Sequence, residues 1–239
     1  MTKGYRSRFQ GKVGTQTNSK DDTLIDIGQV KKQTENFIDR NKQKLFIVLG
    51  SLLALIGGYL AYKYLYQEPQ DKEAAEQMYQ AEFLFSRDSF ELALNNPGGG
   101  FAGFKEIAEN YSGTKTGNMA RYYAGLCHIQ MGQYEEAKSY IEDFEPNGNL
   151  LPILKYSSLG DINANLNDFK AAIGYYEKAS TIVENDFLTP MVLKKLGVLK
   201  ESQGDKEGAV KAFEKIRDRF PGSPDANGID RFLIRLQQQ

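Results

Sequence analysis

A period marked by three glycines constrains this chain more than any other feature. Gly125, Gly160 and Gly197 stand 35 and 37 residues apart, and 12 residues after each comes an alanine: Ala137, Ala172 and Ala209. Ile141, Tyr176 and Phe213 follow four residues later, and the turn formers Gly132, Asn167 and Gly204 lie seven residues after the glycines. Self-similarity at this spacing is the mark of stacked helical hairpins. Each unit reads as helix, turn, helix. Small residues fall where two antiparallel helices cross, and the large residue is expected to fill the space between hairpins. A lone hairpin cannot bury both of its faces, so the units must stack and the stack must be capped. The chain is therefore predicted to be all-α.

An earlier half-unit is visible from Gly100, where Phe104, Ile107 and Tyr111 take the places of Phe213, Ile216 and Phe220. Its partner is predicted as one helix from about Asp71 to Asn95, joined through Asn96-Pro97-Gly98-Gly99-Gly100, which cannot continue a helix. At the far end Ser223 and Pro224 are expected to start a capping helix with Ile229, Phe232, Leu233 and Leu236 on one side.

Upstream of the repeats, Leu45 to Tyr62 contains no charged residue, and ten of its 18 positions are Leu, Ile, Val or Phe. Those ten contribute about −3 to −6 kcal/mol to bilayer insertion. As a helix the run rises about 27 Å, and extension to Tyr66 matches a hydrocarbon core of roughly 30 Å. Tyr59, Tyr62, Tyr64 and Tyr66 cluster at its distal end, where amphipathic rings prefer the water boundary. The segment 45–66 is thus expected to be a single transmembrane helix. Lys31, Lys32, Arg40, Lys42 and Lys44 precede it while only Lys63 and Lys72 follow closely, which places residues 1–44 in the cytoplasm and 67–239 outside it. In a bacterium with two membranes, that means an inner-membrane protein with a periplasmic domain. Leu24, Ile27, Val30, Thr34 and Phe37 suggest a short amphipathic helix leading to the membrane from a basic, polar tail. Gly50, Ala54 and Gly58 recur every fourth residue, a spacing that lets another membrane helix approach closely.

Charge separates the two parts. Residues 1–66 carry 11 Lys/Arg against 5 Asp/Glu, and residues 67–239 carry 19 against 26. An acidic main domain repels phosphate backbones, so its expected partners are proteins and not nucleic acid. Cys127 is the single cysteine, which excludes an intramolecular disulfide and any multi-cysteine metal site. His128, the only histidine, has no ligand-spaced cysteine or carboxylate beside it and is expected to be structural. There is no phosphate-binding glycine loop and no nucleophile elbow, and Gly98 to Gly100 follow a helix instead of a strand. No cofactor, metal or small-molecule substrate is expected, and the chain reads as a non-enzyme.

Leu159-Gly160, Leu196-Gly197, Ala172 four before Tyr176, Ala209 four before Phe213, and the closing Pro221 carry a resemblance to the tetratricopeptide repeat. The first full unit, with Ala124-Gly125 and Ile141, is more degenerate, and the repeat's tryptophan is absent. The resemblance covers roughly residues 71–236 and implies a right-handed α-solenoid. The wider arrangement of basic tail, membrane helix and hairpins, with AENYSGTKTGNMARYYAG near the first junction, resembles the YfgM family. That resemblance implies association with the Sec translocon and periplasmic chaperones or their clients. A structural bridging subunit of a cell-envelope or cell-division complex is the alternative.

In tetratricopeptide solenoids the outward arc of each first helix lines the concave surface. At 100° per residue that arc takes Met119, Tyr122, Leu126, Ile129 and Gln130 in the first full unit. In the second it takes Leu154, Ser157, Asp161, Ala164 and Asn165, and in the third Met191, Lys194, Val198, Glu201 and Ser202. The expected partner-binding residues are Met119, Tyr122, Ile129, Gln130, Ser157, Asp161, Asn165, Lys194, Val198 and Glu201.

Overall fold

The turns inside the hairpins are closed by one repeated hydrogen-bond pattern. In the computed structural model, which describes residues 27–238 and side chains from residue 38, Gly132, Asn167 and Gly204 all take left-handed backbone with φ of 75°, 63° and 82°. The residue after each donates its N–H five residues back: Gln133 to His128, Asp168 to Asn163 and Asp205 to Lys200. The left-handed residue itself donates three back, to Ile129, Ala164 and Glu201. This satisfies carbonyls that the ending helix would otherwise leave orphaned. Two of the turn residues are glycines, for which positive φ costs nothing. Asn167 tolerates it through its short polar side chain. Asn167→Val should therefore cost about 1–2 kcal/mol while Asn167→Gly changes little. Urea midpoints of the two variants check this, and equal midpoints would remove the left-handed turn from the argument.

The elements run α1 (Ile27–Tyr62), a π turn (Lys63–Gln67), α2 (Glu68–Phe85), α3 (Phe90–Asn95), α4 (Phe104–Asn110), α5 (Lys115–Gln130) and α6 (Tyr134–Asp143). Then come α7 (Leu151–Asn165), α8 (Phe169–Ile182), α9 (Leu188–Ser202), α10 (Lys206–Arg219), a 3-10 turn (Pro224–Ala226) and α11 (Ile229–Gln237). Among the described residues there is no strand. Contacts divide the chain between Tyr59 and Leu60. In the N-terminal unit the described part is helix. Residues Ile38–Phe85 include a stretch long and apolar enough to cross a membrane, none of it buried. The proposed stripe from Leu24 to Phe37 falls on residues whose side chains lie outside the described ones, although backbone from Ile27 already belongs to α1.

In the second unit α5–α6, α7–α8 and α9–α10 are the three hairpins, and the second helix of each packs on the first helix of the next. Ala137, Ala172 and Ala209 are fully buried at equivalent places. A Cβ built on Gly125, Gly160 or Gly197 would collide with Ile141, Tyr176 or Phe213 respectively. The large residue reaches the next unit, as Phe213 does at 5.0 Å from Phe232, and it also meets its own hairpin. It lies across the glycine of its own hairpin, because only a residue without a side chain lets the second helix bring a large group so near the first. Asp168 and Asp205 then cap α8 and α10 by accepting the N–H of Ala171 and Gly208.

Two predicted boundaries are wrong. The single helix from Asp71 to Asn95 breaks into α2 and α3, because Asp88 turns left-handed at φ 57° and Ser89 N–H bonds back to Leu84. Phe85 and Phe90 close the corner edge to face at 5.4 Å. The capping helix begins at Ile229 and not at Pro224. Ser223 caps the short 3-10 turn, and Gly228 at φ 81° redirects the chain before α11 starts. Ile229, Leu233 and Leu236 are buried as expected, and Phe232 packs on the same core. α4 supplies Phe104 and Ile107, both fully buried against α5.

Candidate partner-binding site

The third hairpin presents a cleft. α9 turns Met191, Lys194, Val198, Leu199 and Ser202 toward it, α7 contributes Ala164, and Tyr176 and Asp225 complete the lining around about 520 Å³. Met191, Val198, Leu199 and Ala164 make an apolar floor, and Val198 is 45% exposed. Charge is confined to the rim. Lys195 Nζ donates to Asp161 at 2.6 Å, Lys194 Nζ to Asp225 at 3.1 Å, and Arg235 to Glu201 at 2.6 Å. Asp161 also accepts the Tyr176 hydroxyl at 2.7 Å. Burial, and then the neighbouring Asp161 carboxylate, push the Tyr176 phenol far above its ordinary range, so it stays a donor.

These pairs join successive repeats. Asp161 to Lys195 and Glu201 to Arg235 each span 34 residues, about one repeat, and Arg219 reaches Glu184 across 35. Partly exposed pairs of this kind are worth roughly 0–1 kcal/mol each. Their effect is to fix the width and register of the rim. On the other side of α9, Lys200 bridges Glu177 at 2.8 Å and Asp205 at 3.6 Å, and the Glu177 hydrogen bond raises its pKa.

The ten expected binding residues are not all presented. Lys194 and Val198 line the cleft, and Asp161 and Glu201 hold its rim. Asn165 and Gln130 are exposed. Tyr122 and Ser157 are buried. The Tyr122 ring lies 5.0 Å from Phe144, and desolvation raises the pKa of its hydroxyl, which is bonded to Ser158. Ser157 sits on α7, which is packed by α5, α6, α8 and α9. Met119 and Ile129 are half-buried, Met119 beside Ala75 and Met78 of α2. Lys195, Leu199, Tyr176 and Asp225 were missed. The arc counted from one helix omits the residues at its edges, and Asp225 belongs to an irregular turn. The spacing of Asp161 to Lys195, 34 residues and so close to one repeat, was a usable signal.

His128 stacks on Tyr140 with ring centres 5.3 Å apart, and its Nδ1 lies 2.6 Å from Gln133 Oε1. Among the described residues no three His, Cys, Asp or Glu side chains gather as a metal site. Cys127 is fully buried, and desolvation pushes its thiol up to about 12. It should resist maleimide at pH 8 in the folded chain and label fully in denaturant. Rapid labelling of the native protein would contradict this packing.

Residues 119–145 and 193–223 match one family model of the tetratricopeptide repeat, and residues 156–186 match a second. These segments coincide with α5–α6, α9–α10 and α7–α8. A search of curated proteins finds none that matches the chain. The chain thus contains tetratricopeptide repeats, which in general mediate association between proteins.

Proposed function

We propose that the protein is a single-pass membrane-anchored scaffold whose α7–α9 cleft receives a segment of a partner protein. The observation that carries this reading is the apolar floor around Val198. Exposed aliphatic surface gathered in a concave site, with polar groups only at its edge, is what a binding groove presents. In this reading residues 45–66 cross the bilayer, 1–44 lie in the cytoplasm and 67–239 form a periplasmic domain. Leu45 to Leu60 supply exposed large apolar side chains, which lipid or another membrane helix would cover favourably. A Cβ at Gly50 or Gly58 would meet nothing within 4 Å, so the ridge with Ala54 is free to dock such a helix. The likeness to the YfgM family supports the Sec translocon and a periplasmic chaperone or client as partners.

A C-terminal alkaline phosphatase fusion should be active in cells, and an inactive fusion would reverse the orientation. Val198→Glu should reduce partner recovery from detergent-solubilised membranes about tenfold with helicity unchanged, since it desolvates a carboxylate on an apolar floor. Undiminished recovery would exclude the cleft.

A further inference from the structure

The outer face of a terminal solenoid unit has no neighbour to bury it and is ordinarily polar. α11 follows that rule: Asp230, Arg231, Arg235 and Gln237 are exposed, with Ile234 the one large apolar exception. The first helix of the solenoid, α2, does not. It buries Ala74, Met78 and Ala81, and at 100° per residue Glu68, Lys72, Glu76, Tyr79 and Phe83 fall within about 80° of arc on the opposite side. Tyr79 is 68% exposed and Phe83 40%.

Two further observations give this face a chemistry. α2 carries five acids, Glu68, Asp71, Glu73, Glu76 and Glu82, against Lys72 alone. Asp71 accepts the Thr116 N–H at 2.8 Å and Glu73 bonds the Tyr111 hydroxyl. Among the described residues no cation pairs with Glu68, Glu76 or Glu82. The second observation is Arg87, whose guanidinium lies over the Phe83 ring at 4.2 Å with no carboxylate partner among the described residues. A guanidinium placed on a ring is held by the ring's quadrupole, and α2 already accepts one from its own chain.

We propose that this face of α2 is a docking surface for an arginine-bearing, net-positive segment of a partner protein, with guanidinium groups stacking on Tyr79 and Phe83 and pairing with Glu68 and Glu76. Negative charge along α2 raises the local concentration of such a segment. The same charge repels an anionic lipid surface, which sets a protein segment above a bilayer as the occupant. The site is separate from the α7–α9 cleft.

The test uses the full chain in phosphatidylcholine nanodiscs and a labelled 14-residue helical peptide of Arg, Leu and Ala with net charge +4, followed by fluorescence anisotropy. Saturable binding is expected, weakened about tenfold by Tyr79→Ala with Phe83→Ala, which leave the charge unchanged. Glu68→Gln with Glu76→Gln should weaken it as well, Val198→Glu should not, and a peptide with Glu in place of Arg should not bind. All substituted residues are exposed, and circular dichroism verifies folding. The proposal is overturned by absence of saturable binding, by equal affinity for the Tyr79/Phe83 double variant, by equal binding of the acidic peptide, or by equal binding to empty nanodiscs.

Discussion

Phe213→Ala should cost the solenoid about 3–5 kcal/mol, the range for deleting a buried phenylalanine side chain. Phe213 is fully buried, lies across Gly197 within its hairpin, and stands 5.0 Å from the Phe232 ring of the capping helix. One ring therefore ties α9, α10 and α11 together, so its loss opens a cavity at three elements at once. Thermal unfolding of the full chain in detergent should shift down by about 6–20 °C. Gly197→Val should destabilise by about 1–3 kcal/mol for the converse reason, because its β-carbon collides with that ring. Combined, the two changes should cost less than their sum, since alanine at 213 vacates the space that valine at 197 enters. A coupling of about 0.5–3 kcal/mol is expected in the double-mutant cycle. Strict additivity would mean that glycine and ring do not meet.

The second large effect concerns the apolar segment. Leu52→Arg with Leu55→Arg should release the chain from membranes into the carbonate-soluble fraction. Each arginine near the bilayer centre costs about 2.5–3.5 kcal/mol and each lost leucine up to about 0.6, for a change of roughly 6–8 kcal/mol. That exceeds the contribution of about −3 to −6 kcal/mol from the ten apolar side chains of the segment. Leu52→Ile with Leu55→Ile should stay in the membrane pellet. An unsubstituted chain that itself extracts with carbonate would remove the anchor from the account.

The hairpins were legible in the sequence because their determinants are local and repeated. A glycine seven residues past another glycine fixes both the crossing and the turn, and Asn167 takes the left-handed place its identity allows. The α2–α3 corner was not legible. Ser86-Arg87-Asp88-Ser89 contains neither glycine nor proline, and the aromatic contact of Phe85 with Phe90 that closes it is visible only in three dimensions. The candidate site divides along the same line. Lys194 and Val198 follow from helical periodicity, whereas the burial of Tyr122 and Ser157 depends on how far neighbouring helices wrap around α5 and α7. Periodicity on one helix says which way a residue points and nothing of what arrives to cover it. Asp225 entered the site through a turn whose place in space no periodicity describes.

Protein capture in the α7–α9 cleft is tested most directly by a photocrosslinking amino acid at position 198 in the native membrane. The prediction is one discrete adduct of reproducible mass at 198, absent when the same label stands at exposed position 211 on α10, and lost when Met191→Glu accompanies the label. Indistinguishable adduct patterns at 198 and 211, or an adduct at 198 that survives Met191→Glu, would contradict the account.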